Sequence, residues 1–233
     1  MIRFNAQRAG LRESWVAMRD RYIVTGPDGC GKSTLVQRLA KDTGISVVYL
    51  GKNRRSGPIY NLFSRTRALC ASLPVFAYVT RMIFFVIELF DLWLLDVRAK
   101  DKTRIIERHY FDRIAYFYQL KLSSAVSVKR RVRFAVEWPV MVVLIRVYSR
   151  FFRSHSMVRV ILANPAELYR RKTSDYANIV DAELRHQSYV LAADWWNDRG
   201  GNCTILINNT ALDLERIAAQ ETKILRSHKI ELS

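Results

Sequence analysis

Nine residues near the start carry the most chemistry: Gly26-Pro27-Asp28-Gly29-Cys30-Gly31-Lys32-Ser33-Thr34. The spacing G-x-x-x-x-G-K-S is that of a phosphate-binding loop, whose glycines let backbone N–H groups converge on nucleotide phosphates. The helix that follows points its positive end at the same charge. Lys32 is placed to reach the β- and γ-phosphates of ATP, and the Ser33 hydroxyl to hold Mg²⁺. Gly26, Asp28, Gly29, Cys30, Gly31, Lys32, Ser33 and Thr34 form the expected nucleotide-binding set. Cys30 serves there as a small filler. The bland alternative is a chance match in a helix-capping turn.

A second group is Glu107-Arg108. A carboxylate at the end of a strand can take a proton from an attacking hydroxyl, or hold Mg²⁺ through water. Arg108 can fork onto an acceptor phosphate or the transferred group. Asp112-Arg113 repeats the acid–base pair; Asp112 is either an acceptor contact or a helix cap, with Arg113 on a solvated face. Arg54 and Arg55, in the polar turn Lys52–Pro58, are candidate grips on a negatively charged acceptor, or members of a solvated basic loop. Arg170-Arg171-Lys172 stands where an α/β kinase places a closing lid, here at about 170–181. Such cations neutralise the transferring phosphoryl group when the lid shuts. The competing reading is charge complementing the C-terminal end of a helix. Asn208, opening the stretch Asn208 to Ala211, marks the expected adenine edge.

These residues must be positioned by strands and helices in alternation. The apolar run Tyr22-Ile23-Val24 reads as a strand before the loop, and Leu35–Ala40 as the helix after it. Further strands are expected at Ile45–Leu50, Thr103–Ile106, Val158–Leu162 and Cys203–Ile207. Helices are expected at Ile114–Leu120, from Asn164-Pro165-Ala166-Glu167 onward, from about Asp181 to Trp196, and after Asn208-Asn209-Thr210. Asn164 is the cap, Pro165 the first turn and Glu167 the acid three residues on. Five such alternations predict a three-layer α/β fold with a parallel sheet.

The 233 residues suit one domain, expected at 20–233 behind a basic N-terminal arm at 1–20. The arm reads as a frayed segment or loosely docked helix; a transit peptide is the other reading, and it has no apolar core of signal-peptide type. Half the residues are hydrophobic, enough for a sizeable core. Lys and Arg number 38 against 21 Asp and Glu, a net charge of +17, which points to acidic partners. The excess is concentrated: residues 121–172 carry twelve cations, with Glu137 and Glu167 as the acids. Three cysteines without metal-type spacing suggest free thiols in a reducing compartment. Residues 73–99 are strongly apolar, but Arg81, Glu88 and Asp91 interrupt them. A span needs about 18 residues with few charges, so a long packed helix is the expectation. Residues 126–153 mix apolar and basic side chains, either a core helix with solvated ends or a membrane-surface or partner element.

Three pieces together resemble the thymidylate kinase-like branch of the nucleotide kinases. One is the phosphate loop, including Asp28. The second is Ile105-Ile106-Glu107-Arg108-His109-Tyr110-Phe111-Asp112-Arg113-Ile114-Ala115-Tyr116, similar to that family's acid–Arg–aromatic signature and downstream Ala-Tyr. The third is Leu162-Ala163-Asn164-Pro165-Ala166-Glu167 with Arg170 to Lys172. Order and spacing agree over most of residues 20–227. Glu-Arg-His stands where the family usually has Asp-Arg-Tyr, and Asp112 where it usually has serine. Tyr169-Arg170-Arg171-Lys172 approaches the lid of members from polysaccharide or glycoconjugate settings, and the Glu-Arg pair resembles the deoxynucleoside kinases. The resemblance implies a P-loop NTPase fold of five parallel strands with helices on both faces and a lid. It also implies an ATP- and Mg²⁺-dependent phosphotransferase. The acceptor expected first is a nucleoside monophosphate, and second a nucleoside or sugar hydroxyl. A basic NTP-binding module docking on membrane or nucleic acid is the reading from a different class. Expected partners are the small-molecule acceptor, a second copy of the chain and an anionic membrane surface, with nucleic acid ranked behind them. A cytoplasmic location, peripheral at a membrane, goes with this set.

Overall fold

The computed structural model describes residues 21–49, 104–108, 110–124 and 156–231, together with isolated positions at 83 and between 128 and 147. The basic arm at 1–20, Arg54 and Arg55 with their turn, His109 and nearly all of 73–99 lie outside the described residues.

Strand alternation creates the layers. In β1 (Arg21–Thr25) Tyr22 and Val24 enter one hydrophobic core while Ile23 enters another. β3 (Arg104–Glu107) divides in the same way, Ile105 to the first core and Ile106 to the second. A strand buried on both faces is what a parallel sheet covered by helices on each side requires. The sheet also contains β2 (Val47–Tyr49), β4 (Ser156–Leu162) and β5 (Asn202–Ile207). Its order is β2-β3-β1-β4-β5, and all four pairings are parallel. The expected fold class is therefore the observed one.

On the first face lie α1 (Lys32–Thr43), α3 (Pro165–Arg171) and α5 (Ala211–Glu231), through Leu35, Leu39, Leu168, Ile217 and Leu225. On the second lie α2 (Phe111–Ser124) and α4 (Ile179–Asn197), through Phe111, Ile114, Ala192 and Trp196. Phe111 and Trp196 meet edge to face, with ring centroids 5.8 Å apart.

Local chemistry sets the helix ends. Gly44 closes α1 in the left-handed conformation, and its N–H donates to the Ala40 carbonyl at 2.9 Å. Asn164 caps α3 by accepting from the Ala166 N–H at 3.0 Å, with Pro165 in the first turn. α4 starts two residues earlier than the sequence suggests, because Asn178 accepts from the Asp181 N–H at 2.9 Å. At α5 the Thr210 hydroxyl accepts from the Asp213 N–H, and the Asp213 carboxylate accepts from the Thr210 N–H at 2.9 Å.

One buried ion pair ties α5 to the sheet. Arg159 Nε donates to Glu221 at 2.9 Å, and Tyr22 donates its hydroxyl to the same oxygen at 2.6 Å. Both charged side chains are buried. Burial, then the Glu221 charge, push the Tyr22 hydroxyl far above its ordinary pKa. Among the described residues no helix is long and apolar enough to cross a membrane.

Candidate active site

The phosphate loop leaves the C-terminal end of β1, the central strand, and delivers the chain into α1. Two glycines are sterically obligatory. Gly26 has φ +145°, and a Cβ there would lie 2.1 Å from the Ile161 carbonyl oxygen on β4. Gly31 has φ +96°, and its Cβ would lie 2.5 Å from Asn208 Nδ2. Any side chain at either position would push the loop off its supports. Gly29, also at positive φ, packs on the aliphatic stem of Lys172.

The loop side chains turn inward. Lys32 is buried and donates to the Pro27 carbonyl at 2.7 Å, with Asp28 at 3.6 Å. Cys30 is fully buried, and burial pushes its thiol above its ordinary pKa. That is the setting of an inert filler. Asn208, expected at the adenine edge, lies under the loop. It is 2% exposed, and its amide donates to the Cys30 carbonyl at 2.7 Å. Its side chain buttresses the loop. Asn209 and Thr210, one step on, are exposed at the end of β5.

β3 brings the second group to the same mouth. The register pairs Glu107 with Val24, two residues before Gly26, so its carboxylate emerges beside the loop. Ser33 donates its hydroxyl to Glu107 Oε1 at 2.6 Å. Glu107 Oε2 is buried and meets no hydrogen-bond partner among the described residues. Burying such an oxygen costs free energy unless something else satisfies it. Ser33 and Glu107 are the donor set that suits Mg²⁺, which keeps several waters and takes one or two protein oxygens plus substrate phosphates. Among the described residues no cluster of three or more His, Cys, Asp and Glu could hold a metal by protein ligands alone.

Arg108 is held in a left-handed backbone conformation, φ 60°, and its N–H donates to the Val24 carbonyl at 3.1 Å. Such a geometry at a non-glycine residue costs on the order of 1–3 kcal/mol. What the turn accomplishes is to swing the guanidinium onto Asp28 of the loop, where Nη2 contacts Oδ1. Burial works against the Arg108 charge, but Asp28 and Asp112 outweigh it and hold its pKa above the ordinary value.

Asp28 is the hub. Besides Arg108 and Lys32, it meets Arg185 of α4, whose Nη1 lies 3.8 Å from Oδ2. Arg185 also donates to the Asp175 carbonyl at 2.8 Å and lies over the Tyr176 ring at 4.7 Å. The Tyr176 hydroxyl donates to the Asp28 carbonyl. Asp112 stands one layer behind. It sits in the first turn of α2, and its Oδ1 accepts from Thr25 and, at 2.6 Å, from Tyr189. Burial, then the Asp112 charge, raise the Tyr189 hydroxyl well above its usual pKa.

The three lid cations separate. Arg170 is exposed and forks onto Glu167 at 2.7 and 2.8 Å. Arg171 donates to the carbonyls of Asn209 at 2.8 Å, Asn208 at 3.3 Å and Gly29 at 3.5 Å. It thus joins the loop to the end of β5. Lys172 lies 3.6 Å from Asp175. The polar stretch after them is pinned to the loop by Tyr176, which is buried. The cation that reaches Asp28 from this side is Arg185. The sequence marks Arg185 only through its helical spacing from Asp181, and nothing local marks Tyr176, Tyr189 or Thr25.

A phosphate loop on the central strand and an acid–Arg pair on the adjacent strand thus meet at one end of the sheet. No protein-family pattern matches the chain, and no curated protein matches it in sequence. Solved structures match it in fold. Thymidylate kinase from Candida albicans is similar at a TM-score of 0.58 and 14% identity, over 91% of this chain and 92% of that one. Deoxyadenosine kinase from M. mycoides, solved with dCMP and dCDP, is similar at 0.54 and 12%, over 89% and 99%. The chain has the nucleotide-kinase P-loop fold.

Proposed function

We propose that the protein is an ATP- and Mg²⁺-dependent phosphotransferase of thymidylate-kinase-like type, passing the γ-phosphoryl group to a nucleoside monophosphate or similar small acceptor. The observation that carries this reading is the Ser33–Glu107 contact with the orphaned, buried Glu107 Oε2 beside it. A structural carboxylate would have both oxygens satisfied, and this one keeps an acceptor position at the mouth of a phosphate loop.

Phosphoryl transfer needs positioning and charge neutralisation more than covalent chemistry. Backbone N–H groups of the loop and Lys32 hold the nucleotide phosphates. Mg²⁺, when bound, supplies Lewis acidity at the phosphate oxygens. Ser33 and Glu107 are the residues that would hold it. Asp28 aligns Arg108 and Arg185 on its two oxygens, so two forked cations stand ready beside the loop. Arg108 and Arg185 then grip an anionic acceptor. Arg171 couples the loop to the nucleotide-base side, and Arg170 and Lys172 supply exposed positive charge at the lid.

A nucleoside or sugar hydroxyl is the second acceptor class. Glu107 favours it, since an unpartnered carboxylate oxygen is also what a hydroxyl donor would seek.

The test is ATP consumption with Mg²⁺ against nucleoside monophosphates, nucleosides and glycan sugars, beside a Lys32→Ala control. Acceptor-dependent turnover lost in the control is the expected result. ATP binding without turnover on any of these acceptors would overturn the proposal.

A further inference from the structure

A nucleotide whose phosphates lie in the loop has two sides on which to place its base. The sheet order sets the acid–Arg pair of β3 on one side of β1, and β4 and β5 on the other. The acid–Arg pair keeps the first side for the acceptor. The donor base then falls on the second, against Asn208, Asn209 and Thr210, which follow β5 and reach the loop through Asn208. Adenine and guanine differ in polarity at this edge. Adenine offers an exocyclic amine, a donor; guanine offers O6, an acceptor; both carry N7. Selecting adenine therefore takes a hydrogen-bond acceptor that the protein leaves free.

The acceptors of this segment are already engaged. Arg171 donates to the Asn208 carbonyl at 3.3 Å and to the Asn209 carbonyl at 2.8 Å. The Leu214 N–H donates to the Thr210 carbonyl at 3.3 Å as α5 begins. The Asn209 side-chain oxygen accepts from the Asn164 N–H at 2.7 Å, and the Thr210 hydroxyl accepts from the Asp213 N–H at 3.2 Å. Nearby, Glu167 is forked by Arg170 and bound by Arg171. Asn208 Oδ1 meets no partner among the described residues, but it is buried beneath the loop. A carbonyl oxygen has a second lone pair. At Asn208 and Asn209 a donor using it would stand beside a guanidinium, which disfavours an amine and suits an oxygen such as O6.

We propose that the phosphoryl-donor site does not select adenine, so that GTP serves about as well as ATP, and that Arg171 is the positioning residue responsible. The proposal rests on the phosphotransferase reading above, in that the loop must hold a nucleoside triphosphate.

The experiment is equilibrium binding of ATP and of GTP to the full chain with Mg²⁺, by calorimetry, which needs no acceptor. The Kd of GTP should be no more than ~5-fold above that of ATP, less than a good hydrogen bond would contribute. Arg171→Met keeps an aliphatic stem, removes the N–H groups and frees both carbonyls for an adenine amine. In that variant the ratio of the two constants should move by ~5-fold or more in favour of ATP. A merely structural loss would weaken both nucleotides alike. Melting temperature is read alongside, and the parent's ratio decides if the variant does not fold. A larger preference for ATP in the parent would overturn the proposal and leave the phosphotransferase reading standing. A ratio unchanged in folded Arg171→Met would overturn the role of Arg171. Binding of neither nucleotide, or binding that Lys32→Ala does not weaken, would overturn the reading on which the proposal rests and the proposal with it.

Discussion

Glu107→Gln separates a catalytic carboxylate from a structural one. The substitution keeps the size of the side chain and removes its charge. Glu107 is 7% exposed, with Oε1 bound to Ser33 at 2.6 Å and Oε2 orphaned. If the residue were present for stability, losing it would cost stability and leave turnover alone. The geometry argues the reverse. An unpartnered buried carboxylate oxygen costs more than an unpartnered amide, by about 1 kcal/mol or more. For a domain of this size that raises the melting temperature by ~2–4 °C. Turnover should fall by ~10²–10⁴, the range for a group that holds a proton or a metal-bound water in the transition state. The assays are ADP release at saturating ATP and Mg²⁺ with the best acceptor, and thermal melting without nucleotide. Titrating Mg²⁺ in both proteins separates the roles: a metal-positioning residue raises the Mg²⁺ requirement, while a pure base lowers turnover at every concentration. A variant that melts lower and turns over normally would refute the reasoning.

Gly26→Ala should lower stability by at least about 2 kcal/mol and abolish ATP binding, because its Cβ would meet the Ile161 carbonyl at 2.1 Å; chemical denaturation and calorimetry measure the two. Arg185→Gln should raise the KM of a phosphate-bearing acceptor by about 10-fold and leave the KM of ATP unchanged, since it loses a charged grip beside Asp28. Steady-state kinetics with each substrate varied in turn measure the split. Glu221→Ala leaves the buried Arg159 without its carboxylate and should cost about 3–5 kcal/mol in a denaturation series. Glu167 is held at about 2, by hydrogen bonds from Arg170 and then Arg171. A depressed carboxylate contributes stability above its unfolded pKa and loses it as pH falls through the folded one. The Glu167 contribution is therefore full above about pH 4.5 and fades toward pH 2. Carboxyl resonances in an NMR titration should place Glu167 near 2 and move it upward in Arg170→Ala.

The elements were legible in the sequence because they rest on local causes. Strand β1 is a short apolar run before a glycine loop, and α3 begins where Asn164-Pro165 stops an extended chain. The phosphate loop is legible as a motif of spacing, although the groups that exclude a side chain at Gly26 and Gly31, the Ile161 carbonyl and Asn208, are distant in sequence. Right-handed crossover connections then make strand–helix alternation a parallel sheet with two covered faces. The strand order is different. Which strand flanks β1 depends on where connections of very different length return, and here β3 and β4 do so from 80 and more residues away.

The same division runs through the site. Lys32, Ser33, Glu107 and Arg108 could be named from residue type and spacing. That Ser33 meets Glu107, and that Arg108 meets Asp28, follows only from the register of β3 on β1. Arg185 and Tyr189 lie on a helix whose sequence looks like any other covering helix. They join the site because α4 packs over the end of the sheet and carries them to Asp28 and Asp112. Asn208 shows the converse: its position after β5 suggested contact with the nucleotide base, and tertiary packing turned its side chain beneath the loop instead. Local sequence determines backbone conformation through sterics and capping. Side chains far apart in the chain share a site only once the sheet has aligned the strands that carry them.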